Sequence, residues 1–430
     1  GLGNDSKSSW TYSVGYGDYS QKIVKVFVND GKLENYIQWN VAINDTTPPA
    51  QPTLDSVLSP TNVSLQTLSG IKESNTSIWI NGVGVISVNS DTTWSYSYNL
   101  SEGTNNISIT SRDAVGNESS AMFASIEYDT NIYVDVGNTS GIEDGTQTHP
   151  FNTVNEGLIA VTSGKSVVVS VGTYNEQLII NKEITLQGAS WDDTFITGSG
   201  LTGNLITIEA DHVIINGFTI DGGSSTNVGI YFDNYSYINI DNNLIKNNRD
   251  YGISYANSAP IIEGNNIENN SGSGIRITTK GAGIIRNNSI LSNKHGIRTY
   301  EDSSPEITEN NISNNNTGIH CRESATPIIS YNIISNNTGY GILIDNVLGN
   351  LVNPDIGGGD RDSNGQNKIT GNSIHGIYNK TTHNIYAKYN WWGDSAGPKY
   401  PYHALSSGDW AFWDKIGGNI IFSPYLITEP

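Results

Sequence analysis

Gly252-Ile253-Ser254-Tyr255-Ala256, Gly274-Ile275-Arg276-Ile277-Thr278, Gly296-Ile297-Arg298-Thr299-Tyr300 and Gly318-Ile319-His320-Cys321-Arg322 follow one another at near-constant spacing. The Gly-Ile pair also stands at Gly229-Ile230, Gly341-Ile342 and Gly376-Ile377. The first five intervals are each about 22 residues, which fits one coil of a parallel β-helix better than a helical repeat. An Asn-x-Ile-type element follows each pair: Asn243-Leu244-Ile245, Asn266-Ile267, Asn288-Ser289-Ile290, Asn311-Ile312 and Asn332-Ile333-Ile334. Coils stacked about 4.8 Å apart pile the isoleucines into an aliphatic core. Each buried isoleucine then stabilises by roughly 1.5–3 kcal/mol. The asparagines fall at the bends, where their amides bond along the stack and left-handed backbone angles are tolerated. Asn288 and Asn311 are both expected in that stack. The sixth interval is longer because Asn353-Pro354-Asp355-Ile356-Gly357-Gly358-Gly359 and the residues after it loop out of one coil.

Upstream, Thr153 is suited to cap a short helix running through Ala160, with Gly164 ending it. Short strands then read as Val167–Val171, Gly172–Tyr174, Leu178–Ile180 and Ile184–Gly188. This stretch resembles the N-terminal cap and first coils of pectin-lyase-like β-helix proteins. At the far end stand Asn390-Trp391-Trp392-Gly393, Gly397-Pro398 and Phe422-Ser423-Pro424-Tyr425-Leu426. These resemble the C-terminal cap of the NosD-like group of the same β-helices. The two likenesses together cover residues 131–427. They imply a right-handed parallel β-helix but no particular activity, because such folds carry lyases, hydrolases, epimerases and non-catalytic surface proteins.

Residues 46–130 read differently. Strands Thr76–Ile80, Trp94–Tyr98 and Ile107–Thr110 recur between polar turns, as in a β-sandwich. Thr47-Pro48-Pro49, Thr93-Trp94-Ser95-Tyr96, Leu100-Ser101-Glu102-Gly103-Thr104-Asn105 and Asp113-Ala114-Val115-Gly116-Asn117 resemble bacterial-type Ig-like modules of prokaryotic surface proteins. That likeness implies display at a surface. Asp45-Thr46-Thr47-Pro48-Pro49 reads as a stiff linker. Before it, residues 1–45 offer two strands, Ile23–Val28 and Tyr36–Ile43, around an Asn29-Asp30-Gly31 turn. Two strands are too few to be stable alone, so this segment either joins the next domain or docks on another copy of the chain. The fold class is therefore all-β: a strand segment (1–45), an Ig-like β-sandwich (46–130), and a right-handed parallel β-helix with caps (131–430).

The formal net charge of −20 argues against nucleic acid and anionic membranes as partners, since both require basic patches. The lone Cys321 excludes an internal disulfide, and its position places it in the core. No stretch is apolar enough to span a membrane. No signal peptide precedes Gly1, which gives the expectation of a mature, secreted form displayed at the cell surface. Acceptor tripeptides for N-glycans stand at Asn62, Asn75, Asn99, Asn106, Asn117 and Asn138. The first five, in the sandwich, are the expected glycan carriers.

Along each Gly-Ile strand the residue after Ile faces outward. This puts Arg276, Arg298 and His320 in one row, with Tyr300 and Arg322 in the next and Glu301 and Glu323 at the strand ends. Arginines can bind the carboxylates of an acidic polysaccharide while Tyr300 stacks on a sugar ring. The plainer reading is a salt-bridged ladder, Arg298 with Glu323 or Arg322 with Glu301. No set of catalytic carboxylates is recognisable, with Asp233, Asp250 and Asp345 read as lying apart. Asp360, Asp362 and Asn364 resemble the start of a calcium loop, with Gly371 where a final acidic ligand is expected. Asp45 and Asp113 are a second calcium candidate. No cofactor is required. Trp391 and Trp392 are assigned to cap packing. The sum is a non-catalytic extracellular surface protein, structural or adhesive, assembling into a filament or layer. The competing reading is a polysaccharide lyase, epimerase or glycan-binding protein.

Overall fold

The computed structural model describes residues 22–29, 34–41, 45–346, 351–398 and 416–430. The chain divides into two compact units between Asp129 and Thr130. Asp30 and Gly31 of the expected turn, Ala42-Ile43 and the N-terminal residues before Lys22 lie outside the described residues.

In the first unit, Lys22–Asn29 and Glu34–Val41 pair as an antiparallel hairpin. Six further strands form two antiparallel sheets. One pairs Leu65–Ile71 with Thr93–Asn99. The other runs in the order Val83–Asn89, Thr76–Ile80, Gly103–Arg112, Met122–Tyr128. Leu68 and Trp94 from the first sheet meet Ile78, Ile80, Ile107, Ile109 and Ile126 from the second in one buried cluster. That shared core makes the arrangement a β-sandwich. A Cβ at Gly70 would stand 2.0 Å from the Thr53 carbonyl oxygen, which also accepts from Trp94 Nε1 at 3.1 Å. Glycine at this position lets the incoming segment lie against the sheet.

Among the described residues the second unit is a parallel β-helix of three long sheets, with Ile385–Tyr386 and Ile420–Ile421 adding a two-stranded parallel pair. Sheet A has nine strands and ends at Ile328–Ser330. Sheet B has nine and ends at Lys368–Thr370, and sheet C has ten and ends at Ile416–Gly417. Ile230, Ile253, Ile275, Ile297, Ile319 and Ile342 stack in register in sheet C, all fully buried. Ile262, Ile285 and Ile307 do the same in sheet A, and Ile267, Ile290 and Ile312 in sheet B. The glycine of each Gly-Ile pair is required by proximity. A Cβ on Gly274 would meet the Gly296 carbonyl oxygen at 2.8 Å and Ile290 Cγ2 at 2.9 Å. Cys321 is a core residue, as expected.

Two buried asparagine ladders hold the corners. Asn243, Asn265, Asn288, Asn310, Asn332, Asn367 and Asn390 form one, each Nδ2 donating to the next Oδ1 at 2.8–3.2 Å. Asn248, Asn270, Asn293, Asn315, Asn337 and Asn372 form the other. Every rung satisfies carbonyls that a bend would leave bare, such as Ile262 and Arg286 for Asn288. The expected rungs need correction at two coils. Asn265 and Asn310 are the ladder members. Asn266 begins the following strand, and Asn311 is exposed there.

At the N-terminal end helix α1 (Val154–Ala160) has Thr153 and Glu156 in a capping box. Its C-cap is Val161 and not Gly164, because Lys182 Nζ donates to the Leu158, Ile159 and Val161 carbonyls. At the other end Asn390 is the last rung of its ladder and Trp392 is fully buried, so the Asn-Trp-Trp element is cap packing.

Candidate functional site

The outer face of sheet C carries three rows in register. The residue before each Gly-Ile gives Tyr251, Ser273, His295, Thr317 and Tyr340. The residue after gives Ser254, Arg276, Arg298, His320 and Leu343. The third row includes Thr278 and ends with Arg322 beside Asp345. Period-2 alternation turns the second and third rows outward while the isoleucine before them points in. The first row, two residues ahead of that isoleucine, is placed on the same outer side by its contacts, Tyr251 with Arg276 and His295 with His320.

Tyr300 is the centre of the arrangement. The guanidinium of Arg298 lies 4.5 Å from its ring centroid, Arg322 5.6 Å and Arg276 5.7 Å. Arg276 also lies 5.3 Å from the Tyr251 ring. Three cations around one phenol face gain cation–π attraction but repel one another. Arg322 alone is neutralised: its Nε donates to Asp345 Oδ1 at 2.7 Å, and Glu323 lies 3.7 Å away. Among the described residues no carboxylate stands within ion-pair distance of Arg276 or Arg298. Arg298 is half-buried, and burial pulls its guanidinium below the usual arginine range. Its Nε is buried with no hydrogen-bond partner in the protein.

Two histidines complete the face. His295 and His320 are both buried, with ring centroids 5.1 Å apart. Burial pushes His295 down to about 3, and the nearby His320, Arg298, Lys294 and Arg322 add to the fall. Burial also lowers His320, more than the adjacent Asp345 raises it. Asp345 Oδ2 lies 3.2 Å from His320 Nε2, off the line of a hydrogen bond. Burial would raise the Asp345 carboxyl, but His320 and Arg322 outweigh it and hold it below the usual range. Tyr300 is raised by burial, against the pull of Arg298 and Arg322. Ser273 Oγ and His295 Nδ1 are buried here without protein partners. The result is a concentration of unpaired donors and positive charge on a chain of net charge −20, able to take oxyanions.

The sequence-derived site residues are thus brought together, with two corrections. The anticipated ladder pairs Arg298–Glu323 and Arg322–Glu301 do not form. Arg322 turns to Asp345, and Glu301 instead accepts from Thr278 and Thr279 hydroxyls at 2.6 and 2.7 Å. Asp345 therefore belongs to the site, not apart from it. His295 and Tyr251 were missed. Their signal was the same spacing applied to the residue before each Gly-Ile.

The looped-out coil is organised around Asp355. Its buried carboxylate accepts from the backbone N–H groups of Gly357, Gly359, Arg361 and Ser363. Asp360, Asp362 and Asn364 are exposed around that hub. Asp113 caps its own turn, accepting from Val115, Gly116 and Asn117, and Asp45 accepts from Thr47. Of the expected glycan carriers, Asn75, Asn99 and Asn106 are exposed and Asn62 is partly so. Asn117 Nδ2 is engaged by Asp45 and Asp113.

Residues 66–304 and 257–391 match the family described as right handed beta helix region. An 88-residue stretch, 20% of this chain, is 36% identical to a cell surface glycoprotein of Methanothermus fervidus. That stretch spans only 14% of the relative's length. Among solved structures, pectate lyase Pel9A is 13% identical with a TM-score of 0.44, covering 69% of this chain and 78% of that one. The alginate lyase of Paenibacillus sp. is 12% identical with a TM-score of 0.38, covering 62% of this chain and 95% of that one.

Proposed function

We propose that this chain, which belongs to the right-handed β-helix family, is a cell-surface structural or adhesive protein whose sheet C binds an anionic polysaccharide. The observation that carries the reading is Arg276 and Arg298 gathered on Tyr300 with no carboxylate partner among the described residues. A uronate or sulfated sugar offers oxyanions to the two guanidiniums and an apolar ring face to the tyrosine. The antiparallel sandwich ahead of the β-helix supports an Ig-like spacer of the kind borne by prokaryotic surface proteins. The likeness to a relative named a cell surface glycoprotein agrees with a surface location. An array of acidic and neutral glycans tests the reading. Acidic glycans should be retained and released by salt, and Arg298→Ala should lose most of that binding. Equal retention of neutral glycans would overturn it.

Assembly is the second half of the proposal. The N-terminal hairpin forms a two-stranded sheet of its own, with Tyr36, Ile37 and Trp39 exposed. Such a hairpin is marginal alone, and docking on a second copy would cover it. Repeated head-to-tail docking gives a filament or layer unless the rotation closes. A variant beginning at Asp45 should lose assembly and keep its melting temperature. A sharp fall in stability of a protein monomeric throughout would overturn this half.

The His320–Asp345 pair beside Tyr300 favours one other reading, a lyase or epimerase acting on the same polysaccharide. Steady release of unsaturated sugars by the wild type would select it.

A further inference from the structure

The β-helix unit contains eight Asn-x-Ser/Thr tripeptides, at Asn138, Asn234, Asn269, Asn287, Asn311, Asn315, Asn336 and Asn379. Their side chains fall into two groups. Asn315 is fully buried as a ladder rung, its Nδ2 bound to Ile290 O, Ser313 O and Asn337 Oδ1. Asn379 is buried, donating to His383 and Asn419 carbonyls. Asn138 Nδ2 is held by the Ile142 and Pro150 carbonyls. The other five are exposed.

The corner geometry explains that division. Each ladder rung is preceded by a residue with a left-handed backbone, at φ 56° for Asn269, 55° for Asn287 and 56° for Asn336. The rung turns inward, so its predecessor projects into solvent. In Asn269-Asn270-Ser271, Asn287-Asn288-Ser289 and Asn336-Asn337-Thr338 the acceptor is that outward residue and the rung is the middle one. Asn311 is the exposed first residue of a sheet B strand, directly beside exposed Ile333. All four border or lie on sheet B. Asn287 stands where the chain enters it, and Asn269 and Asn336 where it leaves.

We infer that sheet B is a glycan-bearing face, with N-linked sugars on Asn269, Asn287, Asn311 and Asn336. The sugars would cover Ile333 and Tyr331, which are otherwise open to water on this side. Sheet C carries none of these four acceptors. The fifth exposed one, Asn234, follows its strand Val228–Asp233, two coils before Arg276, so the arginines and histidines stay clear for a ligand. A sugar on Asn315 would break its ladder bonds, so chains so modified would not complete the stack.

Glycopeptide mass spectrometry on the protein isolated from its own cells tests this, with the same chain made in a host lacking N-glycosylation as the reference mass. Sugar on the four sheet B asparagines, with Asn315 and Asn379 bare, is the expected result. The Asn287→Gly variant, which keeps the left-handed backbone, should lose one glycan and keep its melting temperature. Four bare asparagines, or sugar on Asn315 or Asn379 at matching occupancy, would overturn the inference.

Discussion

Asn265 reaches Asn288 twice: its backbone N–H and its side-chain Nδ2 both donate to Asn288 Oδ1, each at 3.0 Å. Asn288 in turn gives its own Nδ2 to Ile262 O, Arg286 O and Asn310 Oδ1. One amide therefore serves three successive coils. Asn288→Ala leaves several buried groups without partners, and each costs about 1–3 kcal/mol. Some of this loss is recovered by water and relaxation. We expect about 2–4 kcal/mol of destabilisation in denaturant unfolding, against under about 0.5 kcal/mol for Asn287→Gly one residue earlier on the surface, where glycine keeps the left-handed backbone at no steric cost. Equal effects at the two positions would contradict the ladder.

The isoleucine stack makes a second demand. Ile297 is fully buried between Ile275 and Ile319. Ile297→Asp places an unpaired carboxylate there and should cost several kcal/mol. Gly274→Ala adds only a methyl, but it would press on the Gly296 carbonyl and Ile290. Overpacking of that kind costs about 1–3 kcal/mol. Thermal unfolding should therefore rank wild type above Gly274→Ala, and Gly274→Ala above Ile297→Asp. Gly274→Ala as stable as wild type would show that backbone closeness does not select the glycine.

The isoleucine stack and the strand rows were legible because a residue recurring every coil points to one side of a sheet. The ladder was legible only in part. In Asn265-Asn266 and Asn310-Asn311 two adjacent asparagines compete for one rung, and composition cannot choose. The constant two-residue offset from rung to inward isoleucine does choose, as in Asn243 to Ile245 and Asn288 to Ile290. Asp345 reads as lying apart when weighed against Asp233 and Asp250 as a catalytic set, although the strand spacing already sets it one coil beyond Arg322, 23 residues along the chain. The absence of partners at Arg298 was not legible at all, since it depends on where every nearby carboxylate turns.

Acid should weaken the fold through the histidines. His295 and His320 are held below their ordinary value by burial, with Arg298 and Arg322 adding repulsion. Below pH about 6.5 the unfolded chain binds protons that the folded chain refuses. A group with a lowered pKa of this kind gives full stability above the unfolded value and loses it as pH falls. The loss approaches about 1.4 kcal/mol per pH unit for each such histidine. For His295 it continues down to about 3. Melting temperature should decline between pH 6.5 and 4.5, before most carboxylates titrate, and His295→Gln should flatten the decline. A profile unchanged by His295→Gln would contradict this account.

The same charges link the histidines to the ligand. Arg298 depresses both His295 and His320 by repulsion. Removing it in Arg298→Ala should move both imidazole titrations upward, as followed by NMR. Arg322→Ala should raise His320 further than His295, because it also releases Asp345 to pair with His320 alone. An oxyanion bound between Arg276 and Arg298 offsets the same repulsion, so it too should raise both values. Linkage then requires the converse: protonating the histidines strengthens binding by the same factor. Affinity for an acidic glycan should increase only as pH falls toward the folded values of the histidines, which lie below the ordinary imidazole value and for His295 reach about 3, where a uronate takes up protons of its own. A sulfated glycan keeps its charge, and its affinity should go on rising. Binding of the sulfated glycan that is flat with pH, or that weakens on acidification, would place the anion away from this face.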